Sequence, residues 1–239
     1  DDVAIDLELA AKNADLIVFC SPVQSIGRLA MEMAPHIKPG CLVTDVGSTK
    51  EALVLKMEKL FPKNVFFVGV HPIAGSEKSG FHASSETLYN GIHCIATPTD
   101  KTNPSALQRV IELWTAIGSK VSTMSPKEHD FIFGAVSHLP HVLIFALMNT
   151  LGNLKSENHN QITSFAGTGL RDITRIAGSE PAMWRDICIS NKDSILCCLS
   201  QFQETLNHLK LGIEQENGIL LTQQFETANQ HRLNMVNNA

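Results

Sequence analysis

The sequence predicts an α/β chain: a doubly wound, largely parallel sheet in the first half, followed by an all-helical second half. Three observations predict it. Up to residue 123 short apolar runs alternate with stretches of helical periodicity, as in βαβ units, where a helical crossover joins parallel strands. At Ser125-Pro126-Lys127-Glu128 a capping box with proline at the first helical position opens a region read as helices only. From Ser190 onward Ile195, Leu199, Phe202, Leu206, Leu209 and Ile213 recur at helical spacing, which gives one apolar stripe on a long helix.

In chain order, residues 3–12 read as a short helix, and residues 16–20 (LIVFC) as a buried strand ending in Ser21-Pro22-Val23. Residues 26–37 are helical in pattern and are closed by Pro39-Gly40. The next strand, residues 41–44, ends in Asp45-Val46-Gly47-Ser48, and residues 49–60 form a helix. Strand 65–70 ends at His71-Pro72 and a loop with Gly75 and Gly80. Residues 91–96 form a strand, 105–117 a helix and 120–123 a last strand. The domain boundary is expected at about residue 124, separating 1–124 from 125–239.

With 239 residues, 44% hydrophobic and 18% charged, the chain can bury one large core or two smaller ones. Its net charge of −5 and lack of a basic run offer no electrostatic footprint for nucleic acid or an anionic membrane, so a small-molecule ligand is expected. Six cysteines, without C-x-x-C spacing, read as reduced thiols of a cytoplasmic protein, and no signal peptide is expected. Residues 131–154 contain no Asp, Glu, Lys or Arg, a length that could span a bilayer. They carry Ser137, His138, Pro140, His141, Asn149 and Asn153, polar groups that a lipid-facing helix would leave without partners. The segment is therefore read as a buried central helix of a soluble domain.

Ligands of open α/β sheets bind outside the carboxyl ends of the strands. His71 stands at one such end, and is either a core histidine before a proline turn or a titratable group placed for chemistry. The turns Ser21-Pro22-Val23 and Gly47-Ser48-Thr49 end two other strands and lead into helix N-termini, whose free N–H groups bind polar ligand atoms. Each alone could be an ordinary cap; with His71 they form one rim. A dinucleotide fold normally opens with a G-x-G-x-x-G turn, and no such turn occurs in the sequence. The first βαβ part, with the pyrophosphate cradle, is therefore expected to lie outside the chain, leaving a Rossmann-like domain N-terminally incomplete and a poor binder of NAD on its own.

In the second half Pro140 is expected to kink the long apolar helix. His138 and His141 have no third ligand at a recognisable spacing, so no metal is expected. Arg171 and Arg175 follow Gly167-Thr168-Gly169, and each could clamp a carboxylate or form a surface ion pair with Asp172 or Glu180. The stripe from Ile195 is expected to help build a dimer core.

The stretches DLIVFCSPV, TDVGSTK, HPIAGSEKSG, SPKEHDFIFGAVSHLPH and RDITRIAGSEPAMWRDI, in this order from Asp15 to about Ile187, resemble the prephenate dehydrogenase family, which includes arogenate and cyclohexadienyl dehydrogenases. The resemblance implies NAD(P)-dependent oxidative decarboxylation of prephenate to 4-hydroxyphenylpyruvate in tyrosine biosynthesis, and a homodimer built on the helical C-terminal domain. It implies His71 as the catalytic histidine and Ser48 as the serine that hydrogen-bonds it and the substrate hydroxyl. It also implies His141 as a second active-site histidine, Arg175 as the substrate-carboxylate arginine, and Trp184 as a tryptophan near the pocket. Ser76 and Glu77 in the His-Pro loop count with the substrate site, Glu77 pairing with Arg171. Ser21, Pro22, Val23, Gly47, Ser48 and Thr49 would face the cofactor, NAD or NADP. The alternatives are an arogenate dehydrogenase, another Rossmann hydroxy-acid dehydrogenase, or an inactive ligand-binding fragment.

These residue types suit the chemistry. A neutral imidazole, with an ordinary pKa near 6.5, can take the ring hydroxyl proton as hydride leaves the same carbon. Loss of carbon dioxide then aromatises the ring, so a base, a nicotinamide face and cations for two carboxylates suffice.

Overall fold

The structure, a computed structural model, describes residues 3–75, 84–155 and 162–237. The chain divides into two compact units, Asp1–Ile195 and Leu196–Ala239.

In the first unit five strands, β1 (Leu16–Phe19), β2 (Leu42–Asp45), β3 (Phe66–Pro72), β4 (His93–Thr97) and β5 (Lys120–Thr123), form one sheet in the order β1-β2-β3-β4-β5. β1, β2 and β3 are parallel, as are β4 and β5, but β4 runs antiparallel to β3, with His71 opposite Ile95. Parallel neighbours need a crossover, usually a helix. Helix α1 (Leu7–Lys12) precedes β1, and α2 (Val23–Met33), α3 (Glu51–Leu60) and α4 (Pro104–Ala116) fill the three other gaps, but no helix lies among the described residues between Pro72 and His93.

Successive side chains of a strand point to opposite faces, and both faces are covered across the central strands, whereas Leu16 and Val18 of the edge strand β1 are exposed. Ile17, Phe19, Val43 and Phe67 pack with Ile26, Ala30, Val54 and Met57 of α2 and α3. Leu42, Val68, Val70, Cys94 and Ala96 pack with Ala106, Val110 and Trp114 of α4. Gly69 lies where the sheet is tightest, since a Cβ there would sit 2.7 Å from Val54 Cγ2 and 2.8 Å from Thr97 Oγ1.

Ser125 caps α5 (Pro126–Phe133), its hydroxyl accepting from the Glu128 N–H. A π-helical turn, Gly134–His138, then leads into α6 (Leu139–Asn153). The expected kink at an interior proline takes a different form: Pro140 occupies the first turn of α6, and the irregularity is the π turn before it. Proline has no N–H to return to the preceding turn, and the Leu139 N–H reaches Gly134 O, five residues back, so the ladder widens there. The expectation of a buried central helix does not hold within the single chain, because no residue of α6 is fully buried. Residues 126–153 form a helix long and apolar enough to cross a membrane by length and composition. Its buried His129, Asp130 and His138, however, hydrogen-bond to protein groups.

α7 (Thr168–Thr174), a 3₁₀ turn at Arg175–Gly178, and α8 (Pro181–Ser190) follow. α9 (Lys192–Glu214) carries the expected stripe on one continuous helix: Ile195 is buried, but Phe202, Leu206 and Ile213 are exposed. The second unit pairs the rest of α9 with α10 (Gly218–Asn237) through a tight turn, in which Glu216 has a φ of 50° and the Asn217 side chain caps α10.

Candidate active site

The carboxyl ends of β2 and β3 are fastened together by a buried ion pair. Asp45 and Lys50 are both 0% exposed, and Lys50 Nζ donates to Asp45 Oδ2. Lys50 Nζ also donates to Val70 O at 2.8 Å, while Asp45 Oδ1 accepts from the Val70 N–H at 3.2 Å and Oδ2 from the Gly47 N–H at 2.8 Å. Every one of these bonds is charge-assisted, and together they grip the residue just before His71. Burial lowers the Lys50 pKa, against the pull of Asp45.

His71 faces a cavity of about 490 Å³, enclosed by the ends of β2 and β3, the helix from α5 to α6, the turn at Arg175 and α8. Its Nδ1 lies 2.8 Å from Nε2 of fully buried His129, and His129 Nδ1 lies 2.8 Å from Asp130 Oδ1. The Asp130 carboxylate also accepts the backbone N–H groups of Lys50 (2.7 Å) and Glu51 (2.8 Å) at the start of α3. Phe133 stands edge-on to the His71 ring, with centroids 5.0 Å apart. Desolvation, reinforced by His129, Lys50 and His138, holds the His71 pKa well below the usual histidine value, so the imidazole is neutral at physiological pH.

Across the cavity the His141 ring stacks on Trp184, with centroids 3.7 Å apart and planes at 19°. His141 Nδ1 donates to Ser137 O at 2.9 Å. Burial and the nearby Arg175 lower the His141 pKa, opposed by the Ser137 carbonyl. Buried His138 also lines the cavity: Asn191 Nδ2 donates to its Nδ1 at 3.0 Å, and desolvation brings its pKa down to about 4. Among the described residues no group of His, Cys, Asp or Glu could hold a metal ion.

Of the residues singled out from sequence, Ser48, His71, His141, Arg175 and Trp184 line this one cavity. Arg171 is exposed on α7 and does not line it. Ser76 and Glu77 lie outside the described residues, and with them the pairing of Glu77 with Arg171. Ser21, Pro22 and Val23 end β1 and open α2, and Gly47, Ser48 and Thr49 follow β2. The two turns touch, since a Cβ on Gly47 would lie 3.4 Å from both Val23 and Ile26. This edge has unused polar capacity suited to a cofactor: α2 has no side-chain cap, and Ser21 Oγ is buried without a hydrogen-bond partner. Asp45, Lys50, His129, Asp130 and Asn191 were not singled out from sequence. The available signal was His129-Asp130, an ionisable pair one turn inside a capped helix about to become apolar.

The model of the prephenate dehydrogenase nucleotide-binding domain matches residues 1–123, and that of the prephenate dehydrogenase dimerization domain matches residues 125–227. The chain belongs to the prephenate dehydrogenase family. It is 31% identical to a cyclohexadienyl dehydrogenase of Zymomonas mobilis over 98% of its own length and 79% of that protein's. It is 37% identical to a prephenate dehydrogenase of Bacillus subtilis over 97% of its length, but spans only 62% of that relative. Among solved structures it resembles Aquifex aeolicus prephenate dehydrogenase in complex with hydroxyphenyl propionate and NAD+. The TM-score is 0.90 at 37% identity, covering 97% of this chain and 80% of that one. Synechocystis arogenate dehydrogenase is also similar, with a TM-score of 0.82 at 27% identity over 97% of this chain and 82% of that one.

Proposed function

We propose that the protein catalyses the NAD-dependent oxidative decarboxylation of prephenate to 4-hydroxyphenylpyruvate, with His71 as the base. The observation that carries this reading is a neutral imidazole at a strand end, engaged through Nδ1 by His129 and facing a cavity that Arg175 also lines. Its Nε2 is the ring nitrogen left for a substrate hydroxyl. That hydroxyl gives its proton to His71 as hydride leaves the same carbon, and NAD, when bound, supplies the hydride acceptor. The bond to the ring carboxylate then breaks, carbon dioxide departs, and the electron pair aromatises the ring onto the oxygen, which recovers its proton. No metal or covalent nucleophile is needed for this sequence.

In the same reading Ser48 hydrogen-bonds the hydroxyl, Arg175 binds a carboxylate, and His141 with Trp184 forms a flat wall against the ring. Ser76, Glu77 and Arg171 are assigned to the substrate site by family resemblance alone. Ser21, Pro22, Val23, Gly47, Ser48 and Thr49 border the cofactor, with NADP as the variant to compare. The reading takes 1–124 as the nucleotide-binding part and 125–239 as the helical part through which a cytoplasmic homodimer forms. The matched dimerization-domain model and the exposed apolar residues of α9 support the last point.

Similarity to both an arogenate and a cyclohexadienyl dehydrogenase makes arogenate the second substrate to test. The experiment is to follow NADH formation with prephenate and with arogenate in turn, identifying the product of each. Turnover of prephenate to 4-hydroxyphenylpyruvate is expected. NADH formation from arogenate alone would move the reading to that substrate, and none from either would refute it.

A further inference from the structure

We propose that His129 and Asp130 are positioning residues that fix the tautomer of His71, keeping the proton on Nδ1 so that Nε2 presents a lone pair to the substrate. The inference rests on the reading of His71 as the base and adds how its accepting nitrogen is chosen.

The argument starts at the far end of the chain of bonds. Both oxygens of Asp130 accept backbone N–H groups, Oδ1 from Lys50 and Oδ2 from Glu51. A backbone N–H can only donate, so both carboxylate oxygens are engaged as acceptors. His129 Nδ1, 2.8 Å from Oδ1, must therefore carry a proton. In a neutral imidazole one nitrogen donates and the other accepts, which leaves a lone pair on His129 Nε2. His71 Nδ1, 2.8 Å away, can only make that contact as a donor. The His71 proton thus sits on Nδ1, and Nε2 is free of one.

The competing arrangement, a doubly protonated His129 donating to His71 Nδ1, would bury an imidazolium with the Lys50 ammonium nearby. Desolvation and Lys50 both disfavour it, although Asp130 and, more weakly, Asp45 act in the other direction, and the balance lowers the His129 pKa. The groups that bear on His71 from the surrounding elements, His129, Lys50 and His138, all act against a positive charge on its ring. Histidine in water carries its proton mainly on Nε2, the form in which that nitrogen cannot accept. The tautomer of a functional histidine is set by what its other nitrogen meets, and here that is His129.

The test is imidazole ¹H–¹⁵N correlation NMR at neutral pH, with the His71 signals assigned by their loss in His71→Asn. The wild-type protein is expected to show His71 protonated at Nδ1 and bare at Nε2. Asp130→Ala removes the acceptor of the His129 Nδ1 proton, so that the His71 proton is no longer held on Nδ1, and should lower kcat by about 10² to 10⁴ with KM little changed. His129→Phe removes the acceptor altogether and should also move the proton to Nε2. Protonation of His71 at Nε2 in the wild-type protein would overturn the inference, whether or not either variant folds. An Nδ1–H His71 in both variants would overturn it equally. By contrast, His71→Asn with undiminished kcat would remove the base assignment and leave the tautomer result standing.

Discussion

Replacing Lys50 by methionine should destabilise the first unit by more than a core substitution of similar size, and the surroundings of Asp45 say why. With both side chains fully buried, Lys50 Nζ supplies the countercharge to Asp45 and a hydrogen bond to Val70 O. Methionine fills most of the volume but leaves a carboxylate with only the Gly47 and Val70 N–H groups for compensation. Removing one partner of a buried ion pair costs about 3 to 5 kcal/mol. At about 2 to 4 °C per kcal/mol for a chain of this size, that is a drop of roughly 6 to 20 °C in Tm. Asp45→Asn combined with Lys50→Met removes both charges and should lose less than the two single losses added together, with a coupling of about 1 to 3 kcal/mol. Thermal and urea unfolding of the four proteins measures this. A Lys50→Met loss below about 1 kcal/mol, or strict additivity in the double variant, would refute the idea that this pair fastens β2 to β3 beneath His71.

Arg175→Gln should chiefly raise KM for prephenate, because a carboxylate clamp acts in ground and transition states alike. Losing a charge-assisted pair costs about 1.5 to 3 kcal/mol, or roughly 10- to 150-fold, and unchanged KM in steady-state kinetics would reassign the arginine to a surface ion pair. His138 should make the fold acid-sensitive. Its folded pKa of about 4 lies below an unfolded value near 6.5, so the unfolded chain binds the extra proton between those values. Stability is full above about pH 6.5 and falls as pH drops towards 4. At about 1.4 kcal/mol per pKa unit the loss approaches roughly 3 kcal/mol. Urea midpoints across that range, compared with those of His138→Leu, would show a flatter acid limb in the variant; identical limbs would contradict the assignment.

Much of the fold was legible because buried strands write themselves as apolar runs. All five strands of the sheet fall within a residue or two of where LIVFC, CLVT, VFFVGV, GIHCIA and KVST place them. The direction of β4 was not legible, since an apolar run has no polarity and the connection from Pro72 carries no motif for a direct return. Pro140 announced an irregularity but not its kind, because a missing N–H can be met by a kink or by a wider turn. The apolar stretch of α6 reads the same whether a helix is covered by its own chain or left half-covered. At the site, His71 and Ser48 stand out because strand ends are identifiable places. Asp45, Lys50 and the pair His129-Asp130 do not, because, the five-residue Asp45–Lys50 step aside, what they bind lies 20 to 80 residues away in sequence, and nothing local encodes that meeting.

The central claim is that His71 takes the hydroxyl proton, and kcat of His71→Asn with prephenate and NAD tests it most directly. Asparagine can keep a hydrogen bond to His129 but cannot accept a proton near neutral pH. The account predicts a kcat lower by about 10² to 10⁴, with NAD affinity unchanged because the variant leaves the Ser21–Val23 and Gly47–Thr49 edge untouched. A kcat within a few-fold of the wild-type protein's would contradict it.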